Sequence, residues 1–82
     1  MPAYEIALEI VDDLKRDYRY QAGHWFYRSA NRWRTAAPPR LVIWQAMTQR
    51  QRLGVQPSTA LANDIQTCLE TVFENRRQPA AV

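Results

Sequence analysis

The central half of this sequence lacks acidic residues. No aspartate or glutamate occurs between Tyr18 and Asn63, whereas seven arginines lie within that segment. The formal net charge of +3 divides into −3 for residues 1–17, +7 for residues 18–53 and −1 for residues 54–82. The mean charge therefore hides a polarised molecule, and the basic segment indicates an anionic partner.

Cysteine and histidine are also scarce. The chain has one of each, Cys68 and His24, so it has no pair for an intrachain disulfide and too few nitrogen and sulfur ligands for a zinc site. His24 has no nearby acid in sequence to orient it as a base. The phosphate-cradling motifs GxGxxG and GxxxxGK[ST] are missing. The sequence therefore predicts a protein that is not an enzyme, with no metal ion and no cofactor.

Long apolar runs are missing too. No segment approaches the ~18 apolar residues of a membrane span, and no basic stretch followed by an apolar run opens the chain. A hydrophobic content of 46% and three tryptophans nevertheless favour a folded chain over disorder. We expect a single small domain over residues 1–82, cytoplasmic and without a membrane partner. Because so short a chain buries little core, a homo-oligomer remains open.

Helical periodicity predicts three helices, in which apolar residues recur at spacings of three and four. Their expected ranges are 4–15, 39–53 and 58–75. Pro39 suits the first turn of the middle helix because its missing N–H is not needed there, and Gly54 suits the C-cap. The apolar stripe of the middle helix is expected to consist of Leu41, Trp44 and Met47, with Ile43 as a further candidate. Residues 76–82 are expected to form a frayed tail.

Between the first two helices, residues 17–35 change to a period of two. Trp25 and Tyr27 alternate with His24, Phe26 and Arg28, and such alternation around a short polar break is typical of a β-hairpin. A further strand at residues 17–20 would make it a small three-stranded sheet. The predicted fold class is therefore α+β: an N-terminal helix, a Trp-rich antiparallel hairpin or three-stranded sheet, and two C-terminal helices.

Tryptophans in a small domain are expected in the core more often than on a binding surface. A hairpin with two tryptophans on one face would pack that face on the helices. The other face, with His24, Phe26 and Arg28, would then point outward. The expected core residues are Trp25, Trp33, Trp44, Leu61, Ile65, Leu69 and Val72, and Cys68 falls on the same apolar helix face.

Arginines and aromatic side chains are interleaved through the basic segment. Arginine pairs with phosphate bidentately, and aromatic faces stack on bases, so DNA, single- or double-stranded, is the first partner to consider. The second interpretation is a solvated basic face that pairs with the acidic first helix, and the third is contact with an acidic protein surface. The candidate binding residues are Arg19, His24, Arg28, Arg32, Arg34, Arg40, Arg50 and Arg52.

Three short motifs follow one another in the hairpin region. They are Asp-Tyr-Arg-Tyr at 17–20, Gly-His-Trp-Phe-Tyr at 23–27 and Asn-Arg-Trp-Arg at 31–34. Together they resemble the Arg-Tyr … Gly-x-Trp … Arg-Trp signature in the N-terminal region of phage and plasmid primase–helicases, the poxvirus-type primase family. The segment Ser58–Phe73 resembles the last helix of that region, so the resemblance covers roughly residues 6–80, although only about ten positions carry it.

The resemblance implies a role beside DNA replication and helicase assembly, and it gives no catalytic residue to carry over. The sequence departs from the family in two respects. Ser29-Ala30 stands where the family often has Asp-Gly at the hairpin turn, and no Walker motif of a helicase motor occurs in these residues. The sequence does not distinguish a free-standing protein from a domain of a longer protein.

These observations predict a non-catalytic DNA-associated module of a phage, plasmid or other mobile-element replication system. It would bind DNA through its basic aromatic surface or support helicase assembly. The alternative is a phage- or plasmid-encoded adaptor or inhibitor that docks its basic face on an acidic partner. Both functions use the same arginines, so the sequence does not separate them.

Overall fold

The computed structural model describes residues 2–77, with side chains described for residues 3–75. Over these residues the chain forms three α-helices and a three-stranded antiparallel sheet, the predicted α+β arrangement. The elements in chain order are α1 (Pro2–Leu14), β1 (Tyr18–Gln21), β2 (His24–Ser29), β3 (Arg32–Thr35), α2 (Arg40–Gln49), a 3₁₀ turn (Gln51–Leu53) and α3 (Thr59–Arg77).

The helix boundaries differ from the expected ranges by one to four residues, most at the end of the middle helix. The middle helix ends at Gln49, and the 3₁₀ turn then leads to Gly54, whose φ of 88° is the left-handed conformation expected of a glycine C-cap. Ser58 caps α3, because its Oγ accepts a hydrogen bond from the N–H of Leu61 at 3.1 Å. At the other end α3 continues to Arg77, two residues into the expected tail, and residues 78–82 lie outside the described part of the chain.

The hydrophobic core lies between the helices and one face of the sheet. Its fully buried large side chains come from all three helices: Val11, Ile43, Met47, Ile65 and Leu69. The predicted core positions on α3 are confirmed at Ile65, Leu69 and Val72, while Leu61, Trp44 and Cys68 are half-buried and pack against the cluster. Trp25 closes the core from the sheet side, with an exposed fraction of 5%.

Leu41 is a correction to the predicted core. Its side chain is 73% exposed, whereas the buried face of α2 is formed by Met47 and Ile43 of the predicted stripe together with Ala46. Since successive residues of a helix are about 100° apart, Leu41 lies roughly 200° around the helix from Ile43. The Leu41 side and the Ile43 side of α2 both carry apolar residues. Only the packing of α2 against α3 decides which side is buried.

The sheet turns through two residues at each hairpin, Ala22-Gly23 and Ala30-Asn31. Their φ values are 53° and 79° in the first turn and 51° and 63° in the second. Positive φ at both central residues is the mark of a type I′ turn, whose twist suits antiparallel strands. The second turn is thus centred one residue later than the Ser29-Ala30 pair, because Ser29 is paired with Arg32 across the strands.

Trp33 is a second correction, because it does not join Trp25 in the core. The register pairs Trp25 with Tyr20 but Trp33 with Arg28. Residues an odd number of positions apart in a strand point to opposite faces, so Arg28 and its partner Trp33 lie on the face away from Trp25. The ring of Trp33 is half-buried there, outside the core cluster.

The second turn generates a stability prediction. An alanine at φ 51° places its Cβ against the following carbonyl, a conformation that costs roughly 1–2 kcal/mol and that asparagine tolerates better. We expect Ala30→Asn to stabilise the fold by up to about 1 kcal/mol, which raises the Tm by roughly 4–8 °C in a domain of this size. Ala36→Asn, at an exposed coil position, is the control in a thermal melt. A Tm for Ala30→Asn at or below that of the control would contradict the turn assignment.

The two tryptophans of the sheet should differ sharply in their contribution to stability. Trp25→Ala is expected to lower the free energy of unfolding by about 3–5 kcal/mol, because it removes a buried ring from the core. Trp33→Ala is expected to cost only about 1 kcal/mol, since its ring packs outside that core. Urea unfolding of both variants measures the difference, and equal losses would mean that the register is wrong.

Candidate nucleic-acid interface

The face of the sheet turned away from the core is the candidate interface and is called the outer face below. Its residues follow from the strand register: Arg19, Gln21, His24, Phe26, Arg28, Trp33 and Thr35. His24, Phe26 and Arg28 therefore lie where the alternation of β2 predicts them. Three of the eight candidate binding residues, Arg19, His24 and Arg28, share this face.

An arginine and a tryptophan stack across the outer face. The guanidinium carbon of Arg19 lies 4.1 Å from the centroid of the Trp33 ring, which is cation–π geometry. Arg19 belongs to β1 and Trp33 to β3, so the arginine side chain crosses the central strand. Phe26 stands directly opposite Arg19 in the register. The stack therefore joins all three strands into one surface of positive charge and aromatic rings.

A shallow pocket of about 230 Å³ opens at one end of the outer face. The residues that line it are Arg19, Gln21, Ala22, His24, Phe26 and Trp33. Its volume is below the roughly 300–1,000 Å³ of clefts that hold drug-sized ligands. The pocket therefore suits a single small planar group flanked by an anion better than it suits a whole nucleotide cofactor.

The remaining sheet arginines lie on the other face of β3. Arg34 is paired with Tyr27 and Arg32 with Ser29, which places both on the Trp25 side of the sheet, and both are exposed. Asp17 borders the outer face, because its carbonyl accepts a hydrogen bond from the N–H of Arg28 at 2.8 Å. The hairpin is thus basic on both faces, with the aromatic rings of the candidate interface on one of them.

The helical candidates lie away from the outer face, and two of them bind within the protein. Arg40 donates to Asn63 Oδ1 at 2.9 Å and to Gln66 Oε1 at 3.0 Å. Arg50 forms an ion pair with Glu9 of α1 and donates to the carbonyl of Ala46 at 2.8 Å. The structure therefore shows Arg50 paired with the acidic first helix. Arg52 is exposed on the 3₁₀ turn.

A polar network on the Trp25 side of the sheet was not predicted from the sequence. The indole N–H of Trp25 donates to Glu70 Oε2 at 2.9 Å, and the amide of Gln66 donates to the same oxygen at 3.1 Å. Since Gln66 also accepts from Arg40, the network links β2, α3 and α2. A buried indole N–H needs a hydrogen-bond acceptor, so the sequence could have predicted that Trp25 has one. It does not reveal which acidic side chain is that acceptor.

Glu70 also influences a tyrosine beside this network. Burial raises the pKa of the Tyr20 phenol, and the carboxylates of Glu70 and Glu74 raise the pKa further. Tyr20 therefore stays protonated well into alkaline conditions. Its ring lies 5.2 Å from that of Trp25, centroid to centroid, as part of the inner packing of the sheet.

Other kinds of site find no support in the described residues. Within residues 2–77, histidine, cysteine and acidic side chains do not form any group of three or more able to hold a metal ion. No helix in that range has the length and apolar character required to cross a bilayer. No protein-family model, curated protein or solved structure matches the chain. The geometry of the outer face is therefore the basis for assigning a function.

Arg50 and Arg52 should differ in their effect on stability, although both are arginines near the end of α2. Arg50→Ala is expected to destabilise the fold by about 1 kcal/mol, because it breaks the pair with Glu9 and leaves the carbonyl of Ala46 without this donor. Arg52→Ala, at an exposed side chain, should stay within about 0.5 kcal/mol. Chemical unfolding of the two variants compares them, and equal stabilities would mean that the Arg50 pair contributes nothing measurable.

Proposed function

We propose that this protein is a non-catalytic, cytoplasmic DNA-associated module of a phage, plasmid or other mobile-element replication system. It binds DNA through the outer face or supports helicase assembly. The observation that carries the proposal is the stack of Arg19 on Trp33 beside Phe26, on a sheet face that no described helix covers. The resemblance of the hairpin motifs to phage and plasmid primase–helicases supplies the replication setting.

Electrostatics supports an anionic polymer as the partner. The basic segment holds seven arginines without an acid, and the sheet carries four of them: Arg19, Arg28, Arg32 and Arg34. Among residues 3–75, the side chains of these four form no described hydrogen bond or ion pair, so their charge is available to phosphates. Phosphate contacts of this kind release counterions and make affinity depend steeply on salt.

A protein partner is the second candidate, and one observation favours it. Leu41 and Leu53 are 73% and 81% exposed, and Trp44 on the same helix as Leu41 is half-buried. Leu41 and Trp44 are three residues apart and therefore neighbours on α2, and an apolar surface of this kind would be covered by a protein partner rather than by phosphates. These side chains suit helicase assembly, or a phage- or plasmid-encoded adaptor or inhibitor that also docks its basic face on an acidic partner.

We expect DNA binding to be weak, tolerant of sequence and sensitive to salt. Fluorescence anisotropy with single- and double-stranded oligonucleotides between ~50 and ~200 mM salt measures it. Arg19→Glu with Arg28→Glu should abolish binding, because both side chains lie on the outer face and each change replaces attraction to phosphate by repulsion. Both side chains are exposed and only the stack of Arg19 on Trp33 is lost, so the fold should be preserved to within about 1 kcal/mol.

The matched control is Arg16→Glu with Arg52→Glu, which makes the same change in net charge at exposed positions outside the sheet. If the control weakens binding as much as the hairpin variant, charge alone matters and the sheet is not the interface. If the parent does not bind DNA even at ~50 mM salt, the DNA proposal is overturned and the protein adaptor takes its place.

A further inference from the structure

We infer that the outer face binds single-stranded DNA in preference to duplex DNA, with an unpaired base stacked against the Phe26–Arg19–Trp33 surface. This inference rests on the proposed function and specifies the form of DNA that it takes. Its starting point is the placement of two aromatic rings on a sheet face that does not contribute to the core.

The positions of the two rings favour stacking. Phe26 is paired with Thr35, and Trp33 with the residue two places further along β2, so the rings are diagonal neighbours on one face. Diagonal neighbours in a sheet are about 7–8 Å apart, within reach of large aromatic side chains. Both rings are half-buried and thus keep part of their surface in solvent. Such a pair forms a platform for planar groups rather than a packed layer.

Arg19 adds a second planar surface to this platform. Its guanidinium lies over Trp33 and makes no described hydrogen bond or ion pair within residues 3–75. Guanidinium planes, like aromatic rings, stack on unpaired bases, and the N–H groups at the edge can bind phosphate at the same time. A base at this pocket can therefore stack while the phosphate next to it is held by Arg19 or Arg28.

This geometry distinguishes single strands from duplexes. In a duplex the base faces are stacked on one another, and only base edges and phosphates are accessible in the grooves. The outer face offers the planar groups of Arg19, Phe26 and Trp33 for stacking, so a duplex can use its arginines as charges but not these planes. An unpaired strand uses both, and stacking on an aromatic side chain contributes enough to change affinity by about tenfold or more per base.

The test compares three ligands on the intact protein by fluorescence anisotropy at low salt. They are a single-stranded oligothymidylate of about 12 nucleotides, an abasic strand of the same length, and a duplex of that length. We expect the single strand to bind at least about tenfold more tightly than either of the others. The abasic strand has the same phosphates, so it isolates the contribution of the bases.

Two variants locate the contribution of the bases. Trp33→Leu should weaken binding of the single strand by about tenfold and leave binding of the abasic strand unchanged. Trp44→Leu is the matched control, because Trp44 is also a half-buried tryptophan but belongs to α2. Quenching of tryptophan fluorescence by the single strand should be largely lost in Trp33→Phe, which keeps a ring in place if Trp33→Leu fails to fold.

The outcomes separate this inference from the proposed function. Equal affinity for all three ligands, or tighter binding of the duplex, overturns the single-strand inference while DNA binding stands. If Trp33→Leu loses no more affinity for the single strand than Trp44→Leu does, the surface assigned to the base is wrong. Absence of binding to any of the three overturns both the inference and the proposed function.

Discussion

The strand register set by the two-residue turns is the constraint on which the rest of this structure depends. Ala22-Gly23 and Ala30-Asn31 adopt left-handed backbone conformations, and each turn leaves no spare residue between its strands. Because side chains alternate between faces, a slip of one residue would exchange Trp25 for a neighbour that belongs outside. The hydrophobic core and the outer face are thus two consequences of the same register. A change that relaxed either turn would affect both.

The register acts on the helices through Trp25. Its ring packs edge-on against Phe73 at 5.5 Å between centroids, and its N–H is bound by Glu70 of the same helix. Hydrogen bonds from indole to carboxylate are charge-assisted and directional, so they fix the orientation of the ring as well as its depth. The inner face of β2 is therefore anchored on α3. The outer face gains from this anchoring, because a stacking surface loses less entropy on binding when its strands are already held in place.

The sequence reveals the elements of this fold better than it reveals their faces. The apolar spacing in α3 and the alternation in β2 each follow from a local period, so the helix, the strand and the outward position of Phe26 could be predicted. The face of Trp33 could not, because it depends on the number of residues in the second turn: a two-residue turn pairs Trp33 with Arg28 on the outer face, whereas a three-residue turn would put it on the same face as Trp25. Leu41 was misplaced since α2 has two apolar stripes. The side-chain partners of Arg40 and Arg50 lie 23 to 41 residues away in sequence, which no local pattern records.

The four arginines of the sheet differ in what surrounds them, and this difference bears on function. β3 is an edge strand of four residues, and its unpaired backbone groups could pair with another chain. Charged side chains on an edge discourage such pairing, so Arg32 and Arg34 have a structural reason to be there even without a ligand. Arg19 lies on β1, which is the other edge strand, but its side chain reaches inward across the sheet to Trp33 and does not cover the edge of β1. Its position is accounted for by the surface it forms with the two rings, which makes it the arginine most informative about what the outer face binds.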